Sequence, residues 1–240
     1  LLHPYPHKPL SNFLMDYRTK KRKLLLQPRG SYKSTVGTIS DSIRRLLINP
    51  NERILICSET GVQANAFLRE IKSHLEGNAL LTAIYGTFQT DVGWKEESIK
   101  IAQCTDGRKE PSIMCSGSEA TRTGFHFDHI VVDDPCGFSN TQTSDQLQKT
   151  IQWWKSLSPI LNPTGTMLII GTRWHDADLF GFIFDELHDL FDIHLERAVR
   201  EDGSLWFPEV LSKDYLALQE KTIGPYFFSS QFQNEVVATE

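Results

Sequence analysis

Five short apolar runs, separated by stretches of helical periodicity, set the strongest limit on what this chain can fold into. They occupy residues 23–27, 53–57, 112–115, 129–133 and 166–170. Each is short, and several lack the alternation of a strand with one wet face. That pattern suits strands covered on both sides. Between them, 34–48 carries Ile39, Ile43, Leu46 and Leu47 near helical spacing, and 60–75 carries Ala64, Phe67, Leu68 and Ile71. Residues 142–157 and 176–190 read the same way, the latter through Leu179, Ile183 and Leu187. Strands alternating with helices predict an α/β fold with a doubly wound, mainly parallel sheet. Residues 87–111 are polar and irregular, and a surface hairpin is expected there. Past about residue 200 the alternation fades. The expected division is a core over 1–200 and a small helical appendage over 201–240.

Strand ends gather at one edge of such a sheet, so residues that follow separate runs can meet at one ligand. After the first run comes Pro28-Arg29-Gly30-Ser31-Tyr32-Lys33-Ser34-Thr35. A phosphate loop wraps anions with backbone N–H groups after a strand and presents the positive end of the next helix. Its lysine reaches the outer phosphates and the next hydroxyl binds Mg²⁺. Matched to GxxxxGK[ST], Gln27 and Tyr32 stand at the glycine positions, and Gly30 is the one glycine left. Taken alone, the loop reads equally as a helix start capped by Ser31, with Lys33 and Arg29 solvated.

The fourth run, HIVVDDP, ends in Asp133 and Asp134. A nucleotide hydrolase needs a carboxylate at its metal and a group that activates water. Asp133 suits the first task and Asp134 the second. Two acids closing a Val-rich strand are costly unless paired or at a sheet edge. The fifth run leads into Gly171-Thr172-Arg173, where Thr172 either senses the outer phosphate or only ends the strand.

Charge narrows the choice of partner. The chain has 240 residues, 25 Lys+Arg against 30 Asp+Glu, and a net charge of −5. A domain that held DNA tightly by itself would normally be basic, so any DNA contact is expected to be local and transient. The one dense basic run, 18–23, reads first as solvated surface. The cysteines at 57, 104, 115 and 136 form no CxxC pair. The set Cys115, His126, His129 and Cys136 lacks structural-zinc spacing, so buried thiols are expected. No apolar run suits a bilayer span and the N-terminus lacks signal-peptide order, so an intracellular protein without a membrane role is expected.

With PRGSYKS, IVVDDP and GTRWHDADL in this order, the chain resembles the ATPase domain of the large terminase subunit of tailed bacteriophages. The resemblance runs over residues 5–235 by motif order and spacing. It implies a P-loop NTPase of the ASCE type, with ATP and Mg²⁺ as cofactors. Lys33, Ser34 and Thr35 match the phosphate and metal residues, within a loop of Pro28, Arg29, Gly30, Ser31 and Tyr32. Arg29 matches the loop arginine. Asp133 matches the metal-associated acid, and Asp134 stands where many members place a catalytic glutamate. Gly171 and Thr172 match the coupling motif. Tyr5, His7 and Phe13 lie where the family contacts adenine, and packing of the N-terminus explains those three equally well. Arg122 is the best candidate for an arginine that completes a neighbour's site in a ring. Double-stranded DNA, a portal and a small terminase subunit are the implied partners, in the cytoplasm of an infected host cell. No residues are left over for the family's nuclease, so nuclease activity is not expected of this chain. Two alternatives stand beside this reading: a helicase-like translocase, and a nucleotide-binding ring module without turnover.

Overall fold

The computed structural model describes residues 3–120 and 124–236. Helix α1 (Pro4–Met15) precedes strand β1 (Arg22–Leu26), and a π-helical turn (Thr35–Ser40) runs into α2 (Asp41–Ile48). Then come β2 (Ile54–Ser58), α3 (Gly61–Gly77), α4 (Ala79–Tyr85), β3 (Ser98–Ile99), β4 (Ile113–Gly117) and β5 (Phe127–Asp133). The chain continues through α5 (Ser144–Ser156), β6 (Leu161–Gly171), α6 (Leu179–Glu186), β7 (Phe191–Leu195) and α7 (Lys213–Gln233).

The seven strands form one sheet in the order β3-β4-β2-β5-β6-β1-β7. Pairings β1–β7, β2–β4 and β2–β5 are parallel, and β3–β4 is antiparallel. All five apolar runs are strands, and the α/β architecture expected from their alternation is the one observed. By internal contacts the chain divides into two compact units. The first comprises residues 1–33, 134–152 and 169–240, and the second 34–133 and 153–168.

In the second unit β2 is buried along its whole length and pairs with β4 and β5. Helix α3 opens on a capping box, in which Thr60 Oγ1 accepts from the Gln63 N–H at 3.3 Å and Gln63 Oε1 accepts from the Thr60 N–H at 3.2 Å. Its stripe Ala64, Leu68, Ile71 and Leu75 is buried in one core with Ile39, Ile43, Leu46, Ile54 and Ile56. Charges at the margin of this core are paired. Asp41 binds Arg44 at 2.8 Å and Arg45 at 2.9 Å, and Arg53 holds Asp128 with two bonds of 2.9 Å. His129 is fully buried, with Nδ1 2.7 Å from Thr166 Oγ1. The expected helix over 34–48 opens as a π-turn, where Ser40 Oγ donates 2.8 Å to the carbonyl of Thr35, five residues back.

In the first unit, the fully buried Lys23 on β1 reaches Asp192 on β7 at 3.0 Å and lies 4.1 Å from the Phe13 ring centroid. Helix α6 starts at Leu179, later than the pattern suggested, because Asp178 caps it by accepting from the Gly181 N–H at 2.9 Å. Helix α7 breaks at Gly224 (φ 81°), just before Pro225. Beyond the break Phe228 and Phe232 join Trp206, Phe207, Leu211 and Leu216 in a separate core. The segment before residue 16 holds α1, and the His3 and His7 rings meet Phe207 edge-on at 5.3 and 5.4 Å. Cys57, Cys115 and Cys136 are buried, as expected, and Cys104 is half-buried. Among the described residues no helix is long and apolar enough to cross a membrane.

Candidate active site

The loop after β1, as far as residue 33, belongs to the first unit. Gly30 and Tyr32 both have left-handed backbones, at φ 79° and 61°. Glycine adopts that region freely, whereas a tyrosine is strained there. Packing holds Tyr32 in place, because its ring lies 6.2 Å from His7 and 6.4 Å from Phe207. His7 braces the loop from beneath. The His3 N–H donates to His7 Nδ1 at 2.8 Å, so Nε2 carries the proton and donates to the Ser31 carbonyl at 3.2 Å. Pro28 is buried, and its carbonyl accepts from the Ser31 N–H at 3.3 Å.

Two polar groups of this segment, the Gln27 amide and the Ser31 hydroxyl, are buried without a partner among the described residues. Beside them Lys33 is 7% exposed as a residue, and its ammonium meets no acceptor among the described residues. Buried polar groups are costly unless a partner meets them. A loop that holds an unpaired cation beside two such groups fits a phosphate ligand.

Residues 34–133 belong to the second unit, and within it Ser34, the hydroxyl after the loop lysine, meets Asp133, the first acid of the HIVVDDP run. Asp133 closes β5 and is fully buried. Ser34 Oγ donates to its Oδ1 at 3.0 Å, and Thr38 Oγ1 donates to its Oδ2. Ser58 Oγ donates to its carbonyl at 2.8 Å. Among the described residues no group of three or more His, Cys, Asp or Glu can hold a metal ion alone. A hydroxyl and one carboxylate instead suit an ion that shares its remaining ligands with bound phosphates and water.

Three further candidates lie in the first unit. Asp134 is half-buried with φ 46°, and its N–H donates to the Ile170 carbonyl at 2.9 Å. Tyr32, Asp134 and Asn234 are the non-glycine residues with positive φ among those described, and two of them are site candidates. Strain of this kind persists where the surroundings enforce it, and functional sites are where it concentrates. Thr172 is buried directly after β6. Arg29 is exposed, yet anchored: its guanidinium lies 5.3 Å from the Trp174 ring centroid, and its Nε donates to Gln231 Oε1. Gln231 also accepts the Arg29 N–H on its carbonyl at 3.1 Å, and its Nε2 donates to the Arg173 carbonyl at 3.0 Å. One side chain of α7 therefore ties the loop to the residue after Thr172.

No protein-family model matches the sequence, and no curated protein matches it. Solved structures do. The large terminase ATPase domain of Thermus phage P74-26 is similar at a TM-score of 0.60 and 16% identity, over 95% of this chain and 93% of that one. The fold is that of a large-terminase ATPase domain. The large terminase of another bacteriophage, a thermophilic one, aligns at a TM-score of 0.60 and 11% identity over 98% of this chain. This chain spans 54% of that protein, about half its length. The same phage's terminase in complex with ADP aligns at a TM-score of 0.55 and 12% identity, over 95% of this chain and 52% of that one.

The other sequence candidates fall as follows. Thr35 opens the π-turn and is half-buried. Tyr5 is 60% exposed, with its hydroxyl accepting from Arg200 at 2.6 Å. Arg122 lies outside the described residues. Sequence reasoning missed Thr38 and Gln231. Thr38 falls four residues after Ser34, a spacing that would have found it. Gln231 is 202 residues from Arg29, and no local pattern marks it.

Proposed function

We propose that this chain is the ATP-hydrolysing motor domain of a viral DNA-packaging terminase. One observation carries the reading. The hydroxyl directly after a buried, unpartnered lysine donates to the fully buried carboxylate that closes β5. In a chain with this fold, those are the parts of a magnesium-nucleotide site. The loop's backbone N–H groups and Lys33 take the phosphates, with the Ser31 hydroxyl beside them. Ser34 and Asp133 hold Mg²⁺. Bound Mg²⁺ supplies charge neutralisation to phosphate oxygens during transfer. Asp134 orients the attacking water and accepts its proton. Arg29 reads the loop's state, and Gln231 and Thr172 pass it on. Tyr5 offers an exposed ring to the base, while His7 acts through the loop it braces. Arg122 completes the site of a neighbouring subunit in a homo-oligomeric ring. The remaining partners are double-stranded DNA, a portal and a small terminase subunit, in the cytoplasm of an infected cell.

The test is phosphate release from ATP with and without Mg²⁺. Activity should require Mg²⁺ and should fall by about a hundredfold or more in Lys33→Ala, the scale of losing one preorganised electrostatic contact. Full activity in Lys33→Ala, or in the presence of excess EDTA, contradicts the reading.

A further inference from the structure

Three of the five basic residues that sequence inspection notices first are already engaged. In the run 18–23, Arg18 pairs with Asp16 at 2.7 Å, Lys20 donates to the Phe191 carbonyl at 2.5 Å, and Lys23 is buried against Asp192. A different set of lysines comes together at the edge of the sheet. Within the second unit a tight hairpin joins Gly93 to Lys100, through Lys95 N–H to Ser98 O and Lys100 N–H to Gly93 O, both 2.8 Å. Its strand β3 is the outermost of the sheet and pairs with β4. Beside this hairpin lies a concavity of about 390 Å³ lined by Lys95, Lys100 and Lys109, with Val92, Met114 and Phe125 among its apolar walls.

No described residue lining this pocket is acidic. That stands out in a chain with a net charge of −5. The lysines are also arranged differently. Lys100 is braced, donating to the carbonyls of Asp106 at 2.8 Å and Arg108 at 3.0 Å. Neither bond neutralises its charge. Lys109 lies 5.3 Å from the Phe125 ring centroid. Lys95 and Lys109 are exposed. Lysine on an edge strand can serve only to block strand-to-strand aggregation. That role needs neither a concavity nor a lysine from a separate segment, and Lys109 is one.

We propose that this edge pocket grips the phosphate backbone of duplex DNA. Ammonium groups at the rim meet successive phosphates, and the apolar walls accept the carbon face of the deoxyribose between them. A free inorganic anion would use the lysines and leave the walls idle. Contacts of this kind fix position and carry no base information. They are what a translocating motor requires, because a grip that read sequence would stall. The inference rests on the packaging reading for the identity of the nucleic acid, and it names where that partner is held.

The experiment is fluorescence anisotropy of the intact chain with a fluorescein-labelled 20-base-pair duplex, without nucleotide, from 50 to 200 mM salt. Lys95→Ala/Lys109→Ala is compared with Lys213→Ala/Lys221→Ala, a pair of exposed lysines elsewhere. Lys100 is left intact because it ties the 106–108 turn. Removing two phosphate contacts should lower the salt slope by about 1.8, so a fourfold rise in salt weakens wild type about twelvefold more than the variant. The loss should be the same on duplexes of unrelated sequence. An unchanged slope overturns the proposal, and so does an equal loss in the control pair. Altered self-association with unaltered DNA binding also overturns it, and assigns the face to a second copy of the chain. If wild type fails to bind duplex even at 50 mM salt, the DNA assignment falls. Mg²⁺-dependent phosphate release, measured separately without DNA, then still decides the motor reading.

Discussion

Thr38→Val tests how the acid at the end of β5 is held. The substitution keeps the shape of the side chain and removes the hydroxyl that donates to Asp133 Oδ2. Asp133 is fully buried, so water does not replace the lost donor. A hydrogen bond to a charged group contributes about 1.5–3 kcal/mol. Ser34 Oγ remains on Oδ1 at 3.0 Å, so the carboxylate is not stripped bare. The cost should therefore stay near 2 kcal/mol rather than the roughly 3–5 kcal/mol of breaking a buried pair outright. In a chain of this length that lowers the melting midpoint by about 4–8 °C. Far-UV circular dichroism during urea and thermal unfolding measures it. Thr38→Ser keeps the donor and loses one methyl, for about 0.8 kcal/mol. If Thr38→Val unfolds within about 0.5 kcal/mol of wild type, or Thr38→Ser is the worse of the two, then Thr38 does not carry the carboxylate.

Three other outcomes are expected. At position 32 the left-handed backbone should make Tyr32→Gly more stable than Tyr32→Ala by about 1 kcal/mol in urea unfolding, the reverse of the usual order on removing a side chain. Burial pushes the His129 pKa well below its ordinary 6.5, so the unfolded chain binds a proton that the native chain refuses. Stability should then fall with acidification below pH 6.5, by at most about 1.4 kcal/mol per pH unit from this group, and His129→Gln should flatten that slope in a pH series of melts. Gln231→Leu removes the side-chain bonds to Arg29 and to the Arg173 carbonyl; turnover should drop while affinity for a fluorescent nucleotide holds, and an unchanged kcat would argue against the link.

The fold was legible because its strands are buried runs that need no partner to be recognised. β2 is buried at every position, and its five residues read as one apolar run with its neighbours in sequence. Two strands were not legible, for different reasons. β3 has two residues, too few for any periodicity. β7 carries Asp192 and His194 among its five residues, so it looks polar; Asp192 is there to meet the buried Lys23 of β1. The division into units was not legible either, because both are assembled from segments far apart in the chain.

The site was legible to the extent that it follows strand ends. Ser34 and Asp133, found from their positions after two apolar runs, meet at 3.0 Å. The glycine pattern was the poorer guide, and Tyr32 shows why. A phosphate loop needs a left-handed backbone at the residue before its lysine, and glycine is the cheapest way to obtain one. Here tyrosine holds φ 61°, with its ring against His7 and Phe207. Left-handed strain costs about 1–2 kcal/mol, and aromatic pairs contribute about 0.5–1.5 kcal/mol each, so two such contacts are enough to offset it. The motif's requirement is a conformation, and a neighbour 175 residues away in sequence supplies it (Phe207 for Tyr32). A pattern written in residue types cannot register such a substitution, while the hydroxyl-to-carboxylate contact downstream is untouched by it. The loop and the C-terminal core are therefore one structural problem: truncating Phe207 should disturb the backbone before Lys33 as surely as a change in the loop itself.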